Sequence, residues 1–206
     1  MSDERTPEAL AAAMRSIEAA FLLDGRGATL AGATEVRLVR HGDCYDGLTD
    51  DEDPGLSPQG RDQVERLAGR LRRLPRAAVY ASPLRRALET ARAITPDVRV
   101  DDRLVEVRTE VRNGYVIPVE STDDMVARMR AAVADIVAAH PGGRVIVIGH
   151  GVAILGYLGD VLRIEFGGLR LLPYYTSVSV VRVLGDRRMI GSVGDVAHLE
   201  AGLDGA

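Results

Sequence analysis

Four times along this chain a short apolar run gives way to helical periodicity or to a charged connection leading into it, and that alternation restricts the fold more than any other feature. Residues 34–39, Thr-Glu-Val-Arg-Leu-Val, read as a strand. An acidic loop follows, and then Ser57 and Pro58 read as N-cap and first residue of a helix with Val64, Leu67, Ala68 and Leu71 on one face. Residues 77–82 form a second strand, and residues 83–94 a helix with Leu84, Ala87, Leu88 and Ala91 facing inward. A brief strand over 97–100 enters an irregular, charge-rich stretch. A helix then begins at Thr122, carries Met125, Val126, Met129, Val133, Ile136 and Val137, and stops at His-Pro-Gly-Gly. Residues 144–149 are the most continuous apolar strand, followed by a helix over 152–162. Two final strands, 177–184 and 187–193, meet at a tight Gly-Asp turn. Strands alternating with helices predict a three-layer α/β/α sandwich around a mostly parallel central sheet.

A chain of 206 residues suits one sizeable core, so residues 31–206 are expected to form a single domain. The segment before it carries Leu10, Met14, Ile17, Phe21 and Leu22 at helical spacing, which predicts an amphipathic N-terminal extension over residues 1–30. That helix would pack on the domain's exterior or on a second subunit, which makes a homodimer the expected assembly. The acidic start of this segment and its interruption by Arg15 and Glu18 do not fit a secretory signal. No stretch approaches the ~20 apolar residues of a membrane span. The expectation is a soluble, cytoplasmic protein with no membrane partner.

A net charge of -4 argues against nucleic acid as a partner, because such a surface needs a clustered excess of base. Every one of the 26 basic residues is arginine, so there is no lysine for a Schiff base or a P-loop. The lone cysteine, Cys44, excludes an internal disulfide and any multi-cysteine zinc site.

In open α/β sheets, ligands bind beyond the carboxyl ends of the parallel strands. The first strand delivers Arg40, His41 and Gly42 to that edge, the second Ser82 with Arg85 and Arg86, the third Glu106, and the fourth His150 and Gly151. Two histidines, several arginines and one carboxylate suit a phosphoryl group. Arginines offer planar forks for its oxygens, and glycines let backbone N–H groups approach. A neutral histidine can attack phosphorus while guanidiniums stabilise the charge in transit, and a carboxylic acid can protonate the leaving alkoxide.

These segments resemble the histidine phosphatase superfamily, the phosphoglycerate mutase-like or RHG-motif family. Leu-Val-Arg-His-Gly at 38–42 is similar to its signature, and Leu-Ser-Pro-Gln-Gly at 56–60 to its following helix start. Residues 82–91 are similar to its second arginine motif, Asp-Arg-Leu-Val-Glu at 102–106 to its acid segment, and 145–151 to its second histidine motif. The resemblance spans roughly residues 35–200 and implies a phosphoglycerate mutase-like fold. It implies that His41 becomes phosphorylated, that Arg40, Arg86 and His150 hold the phosphoryl group beside Gly42 and Gly151, and that Glu106 is general acid and then base. No metal or other cofactor is implied, and the expected partner is a small phosphorylated substrate.

Two departures bear on the substrate. Asp43-Cys44-Tyr45-Asp46-Gly47 follows the signature where relatives often carry a small hydroxyl residue and then an asparagine. Val-Arg-Thr-Glu replaces a glycine-rich continuation after Glu106, which leaves Glu110 as a rival acid. The segment from Glu106 to His150 is short for a phosphoglycerate mutase, and this favours a phosphatase with a small or open cover. A mutase, a phosphohistidine protein phosphatase and a regulatory phosphate-binding module without turnover are the alternatives. Plain readings cover the rest: Cys44 as a small buried filler, Arg85 and the acidic loop Asp50–Asp53 as solvated, His140 as a helix C-terminal residue on the dipole, and His198 as the cap of a closing turn.

Overall fold

The computed structural model describes residues 6–12, 32–45, 53–74, 77–113, 115–165, 168–171 and 173–200. Residues 7–12 are helical (α1). The elements that follow are β1 (Thr34–Arg40), α2 (Pro58–Leu71), β2 (Ala78–Ala81), α3 (Arg85–Ile94), β3 (Val98–Val100), a 3-10 turn (Asp102–Leu104), β4 (Thr109–Arg112), β5 (Tyr115–Pro118), α4 (Thr122–Ala139), β6 (Arg144–Gly149), α5 (Gly151–Leu162), β7 (Val178–Leu184), β8 (Arg187–Asp195) and α6 (Ala197–Glu200). Six strands form one sheet in the order β3-β2-β6-β1-β7-β8. The first four are parallel, while β7 and β8 add on antiparallel.

The period-2 alternation of the central strands divides the core in two. Val36 and Leu38 of β1 and Val145 and Val147 of β6 pack with Met125, Met129, Ile136, Ile154 and Leu158 of α4 and α5. Val39, Ile146 and Ile148 point the other way, onto Leu67, Leu71, Ala87 and Ala91 of α2 and α3. The sandwich is therefore three layers deep, and both faces of the sheet are covered.

Three expectations change. The charge-rich stretch after Glu106 contains a two-stranded hairpin, β4–β5, turning at Asn113, whose φ is +53°. Asn-Gly is a strong signal for such a turn, but the surrounding charges read as loop. On α3 the buried face comprises Ala87, Thr90, Ala91 and Ile94, so a threonine takes the place expected for Leu84 and Leu88, both half-buried. On α1, Leu10 is exposed; Met14, Ile17, Phe21 and Leu22 lie outside the described residues. No helix among the described residues is long and apolar enough to cross a membrane.

The loop leaving β1 lies directly on the N-terminus of α2, and two glycines make that approach possible. A Cβ on Gly42 would stand 2.6 Å from Val64 Cγ2 and 2.9 Å from the Gly60 carbonyl, and one on Gly60 would stand 1.9 Å from the carbonyl oxygen of Asp43. Farther along the same helix, a Cβ on exposed Gly69 would meet nothing within 4 Å. Gly60→Ala is therefore expected to cost about 3 kcal/mol of unfolding free energy. Gly69→Ala is expected to add about 0.5–1 kcal/mol through helix propensity. Urea unfolding of the two variants checks both signs.

Candidate active site

The sheet order brings the strand-end residues together. Strand β6 lies between β1 and β2, with Arg40 opposite Gly149 in the parallel register. The ladder continues one step past the strands, as His41 N–H donates to Gly149 O (3.0 Å) and Ser82 N–H to Ile148 O (3.0 Å). His41, His150 and Ser82 thus leave three adjacent strands at one level. The rings of His41 and His150 have centroids 5.0 Å apart.

His41 is 5% exposed, and its Nδ1 lies 2.7 Å from the carbonyl of Gly42. A carbonyl only accepts, so Nδ1 carries the proton and Nε2 carries the lone pair. The Nε–H of Arg86 points at that lone pair from 3.3 Å. Burial, followed by the charges of Arg86 and Arg40, lowers the pKa of His41 from 6.5 to about 3, against the opposing pull of the Gly42 bond. The ring is neutral, buried and carries its lone pair on a nitrogen beside a cation.

Arg40 donates from Nη1 to the Pro173 carbonyl (2.6 Å), and its guanidinium carbon lies 3.9 Å over the ring of Tyr175. Its Nε is buried without a hydrogen-bond partner among the described residues. A buried N–H left unpaired in a folded protein is costly, and an anion placed beside it would relieve that cost. Gly151 lies against this group, where a Cβ would stand 3.4 Å from Arg40 Nε. Tyr175 also faces the His41 ring at 5.6 Å.

Thr176, the residue after Tyr175, has φ +60°, unusual for a β-branched side chain. Its N–H is shared between the carbonyls of Arg40 and His41 (3.1 and 3.2 Å), and its hydroxyl donates to Tyr175 O (2.7 Å). His198, expected only to cap a closing turn, is buried on α6 with Nε2 at 2.9 Å from that hydroxyl. Burial, with the charge of Arg70, lowers its pKa to about 4.

Ser82 Oγ lies 2.8 Å from Nε2 of His150, which is fully buried and whose Nδ1 has no partner among the described residues. Burial, then the neighbouring His41 imidazole and the charges of Arg86, Arg40 and Arg128, holds this imidazole well below its ordinary pKa. His150 is the N-cap residue of α5 but makes no side-chain cap. Glu106 supplies it instead: Oε2 accepts from Val152 N–H (3.0 Å), and Oε1 from Ala153 N–H (2.9 Å) and Val107 N–H (2.9 Å). Its rival Glu110 sits on β4, paired with Arg112 and 41% exposed at the side chain.

Arg86, in the first turn of α3, is 13% exposed at the side chain, and its Nη1 stands 3.7 Å from Asp53. The end of the acidic loop is therefore not purely solvated, since Asp53 also accepts the Arg85 N–H (2.9 Å). Thr90 is the residue whose importance the sequence hid. Its hydroxyl donates to the Arg86 carbonyl (2.7 Å) and accepts the Gly42 N–H (3.1 Å). The Gly42 amide, expected to face a phosphoryl group, is thus bonded inside the protein.

Asp43 is likewise bonded inside the protein. Its N–H donates to Gln63 Oε1 (2.9 Å), its carbonyl accepts the Ser57 N–H (3.0 Å), and its carboxylate accepts the Ser57 hydroxyl. Cys44 is buried. Arg85 pairs with Glu89 at 58% side-chain exposure. His140 caps α4 as expected but does not act as a cation there. Its Nε2 lies 3.0 Å from both Arg99 Nη1 and the Tyr80 hydroxyl, and burial with the Arg99 charge lowers its pKa. No group of three or more His, Cys, Asp or Glu among the described residues is placed to hold a metal ion.

Comparison with known proteins gives the same direction. The chain is 31% identical over 205 aligned residues to phosphoglycerate mutase-like protein 4 of Arabidopsis thaliana, covering 81% of this chain and 87% of that one. It is 26% identical over 205 to the probable phosphoglycerate mutase GpmB of Enterobacter sp. (strain 638), covering 81% and 95%. The solved structure of YhfR from Bacillus stearothermophilus superposes with a TM-score of 0.70 at 26% identity, covering 81% of this chain and all of that one. The profile of the histidine phosphatase superfamily (branch 1) matches residues 36–116 and 108–196, and the chain belongs to that family.

Proposed function

We propose that the chain is a metal-independent phosphomonoesterase working through a phosphohistidine at Nε2 of His41. The observation that carries this reading is the buried, neutral His41, protonated on Nδ1 by the Gly42 bond and facing Arg86 through Nε2. Nε2 attacks phosphorus, the ester P–O bond breaks, and Glu106 protonates the departing alkoxide. Glu106 then takes a proton from water, the water oxygen attacks the phosphohistidine, the P–N bond breaks, and inorganic phosphate leaves with His41 restored.

Arg86 and the unpaired Nε–H of Arg40 clamp the phosphoryl oxygens, with Gly151 leaving room beside Arg40. The Ser82 hydroxyl donates into His150 Nε2, so that His150 presents its Nδ1–H to a third oxygen. Gly42 acts through its carbonyl and its missing side chain. This reading includes residues 1–30 as an extension of one domain, a cytoplasmic setting, a small phosphorylated substrate and a homodimer.

The segment between Glu106 and His150 holds only the short hairpin β4–β5 before α4 and β6, a small insertion for a phosphoglycerate mutase. That favours hydrolysis. The names carried by the two relatives above favour the second reading, in which the phosphoryl group returns to a phosphoglycerate-like substrate.

Wild-type protein is expected to release phosphate from p-nitrophenyl phosphate, to be inhibited by vanadate and to ignore chelators. His41→Ala should lower kcat/KM by about 10³-fold or more. Transfer between substrate positions without net phosphate release would instead identify a mutase. Phosphate binding without an acid-labile phosphoenzyme would identify a binding module.

The depressed histidines set a pH dependence with a definite sign. With the folded pKa of His41 near 3 and of His198 near 4, both below the ordinary 6.5, the unfolded chain binds more protons in between. Stability is complete above pH 6.5 and falls as pH drops, by about 1.4 kcal/mol per pH unit for each such histidine. Denaturant midpoints measured between pH 7 and pH 5 should decline, while His41 in the free enzyme stays a competent nucleophile throughout.

A further inference from the structure

Arg128, on the second turn of α4, reaches under the loop that carries Glu106. Its Nη1 donates to the carbonyls of Arg103 (2.7 Å) and Val105 (2.8 Å), and its Nη2 to the carbonyl of Glu106 (3.0 Å). The remaining two N–H groups go to Glu120, Nε to Oε1 at 2.6 Å and Nη2 to Oε2 at 2.8 Å. A guanidinium has five N–H donors, so all are engaged and none is left for a phosphoryl oxygen. The pair is enclosed, at 11% and 7% side-chain exposure.

Glu120 closes the arrangement from the far end of the hairpin. Its Oε2 also accepts the Arg108 N–H (3.1 Å), and the Arg128 bonds hold its carboxyl below the usual range. The loop has a second tether, Arg103 to Asp101 and Asp135, but that one is 39% exposed and acts upstream of Val105. Only Arg128 gathers the backbone of residues 103, 105 and 106 among the described residues.

We propose that Arg128 is the positioning residue for Glu106, setting the backbone from which that carboxylate reaches the start of α5. The proposal rests on the reading of Glu106 as general acid. Removing Arg128 takes the donor from three carbonyls and leaves Glu120 only the Arg108 N–H, so the loop must move to find water, and Glu106 moves with it. Lysine cannot replace it, because one ammonium cannot serve converging carbonyls and a carboxylate in a planar fork.

Leaving-group dependence separates positioning of an acid from general damage. Nitrophenolate departs without a proton, whereas an alkoxide needs one, so only the alkyl ester reports the acid. kcat/KM is measured for p-nitrophenyl phosphate and glycerol phosphate with wild type, Arg128→Lys, Glu106→Gln and the double variant, with Glu120→Gln as a milder probe of the same clamp.

Arg128→Lys is expected to lose about 30-fold or more on glycerol phosphate and about threefold or less on p-nitrophenyl phosphate. Glu120→Gln should show the same selectivity to a smaller extent, and the double variant should fall little below Glu106→Gln alone. Equal losses on both substrates in Arg128→Lys and Glu120→Gln, or additive losses in the double variant, would overturn the positioning role while leaving Glu106 as the acid. A Glu106→Gln variant that loses both substrates alike would overturn the acid reading and the proposal with it.

Discussion

The hydrogen bond from Nδ1 of His41 to the Gly42 carbonyl decides which ring nitrogen holds the lone pair, and the surrounding structure is arranged to keep that bond in place. The carbonyl is fixed because the peptide is fixed. The Gly42 amide is tied to Thr90, and the missing side chain lets the loop lie on Gly60 and Val64. Thr90 is tied in turn to the Arg86 carbonyl. The same few atoms therefore set the tautomer of His41 and the position of the cation that faces it.

Burying two imidazoles among arginines has a cost that shows in their pKa values. Both His41 and His150 are held neutral by burial first and by neighbouring cations second. Arg40 adds a buried Nε–H without a hydrogen-bond partner among the described residues. Each is unfavourable for the folded chain alone, and each becomes favourable beside an anion. A site preorganised for charge that is not its own must be supported elsewhere. The loop of Tyr175 and Thr176 gives part of that support, stacking on Arg40 and bonding the carbonyls of Arg40 and His41.

The residues at the strand ends were legible in the sequence because chemistry and sheet geometry point to the same few positions. Arg40, His41, Ser82, Arg86 and His150 follow apolar runs whose ends must share an edge. Thr90, Thr176 and Arg128 were not legible, for one physical reason. They act on backbone carbonyls and amides of distant segments, and backbone groups are the same at every residue. A threonine on an apolar helix face or an arginine on a surface-like helix carries no mark of which carbonyl it meets. The hairpin was hidden differently, since its Asn-Gly turn was present but its short strands carry charge and do not alternate apolar with polar.

Helix α5 shows how the site divides its work. The N-terminus of a helix following a strand is a common place for phosphate, because its free amides and dipole favour an anion. Here the amides of Val152 and Ala153 are taken by Glu106. The group that occupies them belongs to the protein. In the proposed function, recognition of a phosphoryl group then rests on side chains, the two guanidiniums and two imidazoles that crowd one sheet edge. The carboxylate in turn is brought within one helical turn of His150, the cap residue of the same helix. Placing the Glu106 carboxyl on the helix amides fixes it relative to the second histidine without any direct bond between them. The clamp at Arg128 then controls whether the backbone behind that carboxylate lets it stay.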